Sequence, residues 1–259
     1  MSYTLEASLS AAGLFFGMLL LLEVGRRIGF ARQARYPESA QKGSGAVEGA
    51  IFGLLGLLIA FTFSGAASRF DYRRHLIAEE ANAIGTAYLR IDLLPADARP
   101  EMRELFRRYI DSRLEVYKNA GNMVVAKEKL AQATALQGVI WKKASTLCQG
   151  PGVPTYTAML LLPALNQMID ITTTRIVATE THPPPVIFLL LGGLSLVSAL
   201  LAGIGMSGSK ARSFLHMVVF AAIMSLTVYV ILDIEYPRLG LIRIDAADQT
   251  LVELRKSMQ

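Results

Sequence analysis

An all-α membrane protein, with four transmembrane helices and a helical extramembrane domain inserted between the second and third, is the fold class this sequence predicts. Three observations carry it. Of the 259 residues, 53% are hydrophobic and only 18% charged, and the mean hydropathy is +0.40, outside the usual range of soluble domains. Four apolar stretches, residues 7–22, 46–67, 186–206 and 214–234, come within a few residues of the roughly 20 needed to cross a bilayer. Between the second and third, apolar residues recur at steps of three and four, and no alternating strand pattern of convincing length appears. The expected division is residues 1–67 for the first two spans, 68–184 for the helical domain, 185–234 for the last two spans and 235–259 for an extramembrane tail.

The opening MSYTLEASL carries no positive charge and has Glu6 where a signal peptide wants Lys or Arg, so the first span reads as a retained helix. GRRIGFARQARYPESAQKGSG then reads as a polar loop holding Arg26, Arg27, Arg32, Arg35 and Lys42. The second span runs on without a breaker. Ile77, Ala81, Ile84, Tyr88, Ile91 and Leu94 keep helical spacing, and Pro95 is the first residue able to stop the helix. Its length would be roughly 70 Å at 1.5 Å per residue.

DARPEMRELFRRYIDSRLEVYKNAG predicts an amphipathic helix with Asp97 as its cap, Gly121 beyond its end and a stripe of Met102, Leu105, Phe106, Tyr109, Leu114 and Tyr117. A further helix over residues 124–147 ends at GPGVP. Another, over 156–179, stops at the HPPP of residues 182–185. Pro163 should kink that last helix or mark its start.

Several function classes are excluded at this level. Cys148 is the only cysteine, so no intrachain disulfide forms. His75, His182 and His216 lack HxxxH or HExxH spacing, and no GxSxG, CxxC or P-loop is present. An enzyme, a cofactor and a metal site are therefore not expected. Asp233, Glu235, Asp245 and Asp248 follow the last span without EF-hand spacing. The net charge of +5 suits a protein beside an anionic leaflet, and no clustered basic face with aromatics suggests nucleic acid. Asn166, Asp170, Thr173 and Arg175 read as interhelical hydrogen bonds plus a solvated face. The short loops hold five and two Lys/Arg, the second pair being Lys210 and Arg212, which favours those loops in the cytoplasm. Arg69, Arg73 and Arg74 at the far end of the second span pull the other way.

Gly45, Gly49 and Gly53 form GxxxGxxxG, continued by Gly56, Ala60, Ser64 and Ala67, all within about 60° of one line on a helix. Such a stripe suits close helix packing, or a symmetric assembly in which copies of this helix surround an axis. Phe52, Ile59 and Phe63 flank it and are the candidates for a hydrophobic neck that gates by dewetting. Glu48 reads either as an interfacial charge or as part of a pore mouth.

LLGLLIAFTFSGAASRFDYRR resembles the second helix of bacterial bestrophins, with Leu54, Leu55 and Gly56 before an apolar neck and then Ser68, Arg69, Phe70 and Arg74. DIEYPRLGLIRID is similar to the acidic, proline-containing segment that ends their fourth helix. The segments EGA, FTFSGAASRFD, EANAIGTAYLR and DIEYPRLGLIR resemble the bacterial bestrophin-like proteins more closely still. The resemblance implies a multi-pass protein of the bacterial inner (plasma) membrane. It also implies a homo-pentamer with the second helices around a central pathway for small anions such as chloride. Partners would be the bilayer, further copies of the chain and small ions. Arg69, Arg73 and Arg74 would attract anions at the inner pore mouth. The acidic calcium clasp of animal bestrophins is absent, so calcium gating is not implied. The positive first loop opposes the bestrophin orientation, which keeps the insert in the cytosol. The alternative is a non-conducting scaffold or sensor that binds a partner through its helical domain.

Overall fold

The computed structural model describes residues 3–35, 44–208 and 214–258. Its elements are α1 (Tyr3–Arg35), α2 (Ser44–Leu89) with a closing 3-10 turn (Arg90–Leu93), α3 (Arg99–Lys118) and α4 (Met123–Cys148). They continue with α5 (Thr155–Glu180), α6 (Pro185–Gly205), α7 (Phe214–Glu235) and α8 (Asp245–Ser257). Among the described residues there is no strand. The apolar, membrane-length stretches lie in α1, in α2, in Thr155–Gly205, which contains α6, and in α7.

Four expectations need correction. GRRIGFARQAR is not loop but the last turns of α1, because Arg, Ala and Gln are good helix formers and both of its glycines are packed against α6. Lys42, Lys210 and Arg212 lie outside the described residues. Asp97 does not cap α3: Ala98 holds that position with no side-chain bond, and Pro100 in the first turn sets the start instead. Pro163 neither starts nor breaks α5, which runs through it. The segment after residue 235 is more than a tail, since it contains α8, with Asp245 and Asp248 in the first turn, where the helix dipole favours acids.

The chain forms two compact units, Met1–Ser68 with His182–Leu241 and Arg69–Thr181 with Ile242–Gln259. In the first, α1 crosses α6 at glycines. A methyl group built on Gly25 would overlap the Leu200 carbonyl, and one on Gly203 the Leu22 carbonyl. One on Gly29 would press on Ser207 and the Ile204 carbonyl. Small residues let backbones approach where lipid supplies no hydrophobic drive between helices. Met18, Leu22, Ala199, Met217 and Ala221 fill the space beside this crossing. In the second unit, Ile77, Ile84, Ile91, Met102, Phe106, Tyr109, Ile140 and Met168 form the core. Leu251 of α8 joins it, and Arg255 pins that helix to Asp111 with two bonds of 2.7 and 3.0 Å.

Candidate functional site

The two sides of α2 differ in character over its membrane-length part. One side buries Leu55 and Ala66 against Leu191, Val228 and Ile231 of α6 and α7. Phe52 and Ile59 share that side. Phe52 meets Phe220 edge-on with ring centroids 6.5 Å apart, and Ile59 is half-buried on the Leu55 cluster. Phe63 is 44% exposed. The structure thus places two of the three neck candidates inside the protomer's own packing and leaves the third outside it.

The opposite side is bare. Nothing lies within 4 Å of a Cβ built on Gly45, Gly49, Gly53 or Gly56, and Ala60 and Ser64 are exposed. The glycine stripe therefore does no packing among the described residues of the protomer, unlike Gly25 and Gly203; the GxxxG spacing of Gly25 and Gly29 was the available signal for that crossing. The exposed large apolar side chains of this part of α2 are Val47, Leu54, Leu57, Phe61 and Phe63, of which Leu57 and Phe61 stand one turn apart. Glu48 is half-buried beside Gly205 at the start of the helix.

The three arginines after the span separate into different roles. Arg73 is buried, and its Nε and Nη2 donate to the carbonyls of Ala178 (2.9 Å) and Thr181 (3.0 Å). It thereby satisfies the orphan carbonyls that end α5 and sits where the dipole favours a cation. Arg74 is exposed, 3.5 Å from Asp71 and 5.9 Å over the Phe70 ring. Arg69 is half-buried. No local pattern announces the role of Arg73, because its partners lie about a hundred residues away in the chain.

A charge cluster that the sequence reading missed lies in the second unit. Glu80, on the part of α2 that belongs to this unit, is fully buried. Arg113 Nε donates to Glu80 Oε1 at 2.6 Å, and the Tyr117 hydroxyl donates to Glu80 Oε2 at 2.8 Å. Arg175 Nη1 also reaches Glu80 Oε2, and Arg113 Nη2 reaches the Tyr117 oxygen. The Arg175 guanidinium lies 4.1 Å over the Tyr117 ring. Beside them, Gln137 donates to Tyr109 (3.0 Å) and Thr172 (2.9 Å).

Burial alone would raise the Glu80 carboxyl, but Arg113 and Arg175 outweigh it and hold the group below the usual carboxylate range. Burial and the Glu80 carboxylate push the Tyr117 phenol up, so it stays a neutral donor. The available signal was Glu80 falling among Ile77, Ala81 and Ile84 at helical spacing, a charge on an apolar face. Of the polar residues singled out on α5, Arg175 joins this cluster, whereas Asn166, Asp170 and Thr173 are exposed.

The acidic residues in the last turn of α7 are engaged by their own fold. Asp233 is fully buried and accepts from the Leu241 amide at 2.9 Å. Buried Glu235 meets His182 Nδ1 at 3.0 Å, and that imidazole stacks on Tyr236 at 4.3 Å. Tyr3 and Thr4 of α1 donate to the Leu232 and Leu239 carbonyls, each at 2.7 Å. Among the described residues no group of three or more His, Cys, Asp or Glu is placed to hold a metal ion.

A family model described as the Bestrophin-like domain matches residues 12–248. Crystal structures of a bacterial bestrophin homologue from Klebsiella pneumoniae, in point-mutated forms, share the fold. One aligns with a TM-score of 0.70 at 17% identity, covering 95% of this chain and 98% of its own. A second gives 0.67 at 16%, covering 93% and 98%, and a third 0.67 at 13%, covering 96% and 99%. At such identities the likeness is one of fold. No curated protein matches the sequence.

Proposed function

The chain belongs to the bestrophin-like family, and we propose that it forms a homo-oligomeric channel for small anions such as chloride, with five copies of α2 around a shared axis. The observation that carries this reading is the bare side of α2. Glycines of a membrane helix that meet nothing among the described residues of their own protomer suit close approach by neighbours of their own kind, or a water-filled lumen. Charged helices beyond the membrane give the oligomer an extramembrane body, and the membrane is proposed to be the bacterial inner one.

The neck belongs on the open side. Leu57 and Phe61, one turn apart and exposed, fit a dewetting constriction better than Phe52 and Ile59, which pack toward α6 and α7. Phe63, also exposed, is retained beside them. Of the charged candidates, Arg74 supplies the exposed positive charge after the span, and its pull on anions is strongest at low salt. Glu48 stays a candidate for the opposite mouth.

Purified protein in planar bilayers should pass a chloride-dependent current, and Leu57→Ala should enlarge the single-channel conductance by widening the neck. Well-folded protein that passes no current across salts and voltages would overturn the channel and leave the scaffold.

A further inference from the structure

We propose that the last three turns of α1 hold the headgroup of an anionic phospholipid, with its acyl chains lying along the turns before them. α1 has 33 residues, roughly 50 Å at 1.5 Å per residue, against a hydrocarbon core of about 30 Å. Its final turns therefore reach the headgroup level. Along its outer side Leu20 (64% exposed), Val24 and Ile28 (47% exposed) repeat every four residues as a lipid-facing stripe. The same side then turns basic with exposed Arg27, Arg32 and Arg35. One face that is first apolar and then cationic has the chemistry of an anionic lipid read from tail to head.

The charge balance favours an anion. Residues 23–35 contain four arginines and one glutamate. That glutamate, Glu23, is engaged by Arg26 (3.0 Å) and Arg27 (2.9 Å), and Arg26 folds over the Phe30 ring. Long arginine side chains reach the headgroup layer readily from such a position. The platform is also held in place. Gly25 and Gly29 lock this end of α1 against the α6 backbone, so the arginines are presented by a fixed helix, and little ordering has to accompany binding.

Adding phosphatidylglycerol to the detergent-purified full chain should raise its melting temperature, whereas phosphatidylcholine should not. The triple variant Arg27→Gln, Arg32→Gln, Arg35→Gln should lose the increment, apparent affinity falling about fivefold per arginine removed. The double variant Arg32→Gln, Arg35→Gln, which leaves the Glu23 pair intact, should lose most of it. Arg74→Gln should keep it. An equal rise with phosphatidylcholine, an undiminished rise in both variants, or an equal loss in Arg74→Gln would overturn the proposal. So would glycerol phosphate or inorganic phosphate reproducing the full rise, because a free anion would then suffice.

Discussion

Glu80→Gln is expected to destabilise the second unit by about 3–5 kcal/mol, the usual cost of removing one partner from a buried ion pair. The glutamine keeps the shape and removes the charge, which leaves the Arg113 and Arg175 guanidiniums buried, where Glu80 holds both. The loss should appear as a lower melting temperature of the purified protein. Replacing all three by apolar residues of similar volume should restore much of the stability, since the penalty lies in the uncompensated charge rather than in any missing contact. The same site predicts the acid limb of stability. The folded-state carboxyl is held below its ordinary value of 4.5, so its contribution is present above that value and disappears as pH falls through the lowered one. Wild-type melting temperature should drop in that window, and that of Glu80→Gln should drop less.

Gly25→Leu and Gly203→Leu are expected to abolish accumulation of folded protein, whereas Gly53→Leu should leave the protomer folded. A side chain at Gly25 or Gly203 meets backbone on the facing helix, which cannot turn aside as a side chain can. Separating α1 and α6 would forfeit the Met18 and Leu22 packing as well. Overpacking commonly costs about 1–3 kcal/mol, and backbone overlap on both helices puts these variants at or beyond the upper end. At Gly53 the surroundings are open, so leucine there should alter only association between copies. Size-exclusion profiles of the detergent-extracted variants separate the cases. Loss of the folded peak is expected for the first two and a shifted oligomer peak for the third.

The contrast between these glycines measures what could be read from the sequence. GxxxGxxxG announces itself by spacing, yet among the described residues nothing packs on its glycines. Gly25, Gly29 and Gly203 form a close crossing; Gly25 and Gly29 carry the same GxxxG spacing in GRRIG, a signal hidden by the arginines between them. The spans and the amphipathic α3 stripe were legible because burial repeats at local periods. The end of α1 resembles a loop in charge density, although only its two glycines oppose a helix, and both are held by packing on α6. The packing of the neck candidates was out of reach for the same reason. Helical spacing groups Phe52, Ile59 and Phe63, but only packing against Phe220 and the Leu55 cluster tells which side of α2 is taken. Glu80 and Arg73 needed their long-range partners before their burial made sense.

In the proposed channel the open side of α2 lines the conducting path, and thiol accessibility under current recording tests this directly. In a background with Cys148→Ala, chloride current through Ser64→Cys channels should be blocked by a negatively charged methanethiosulfonate reagent. Current through Thr62→Cys, on the half-buried side where Thr62 donates to the Leu58 carbonyl, should be unaffected. Block at Thr62→Cys with none at Ser64→Cys, or an equal insensitivity of both, would contradict it.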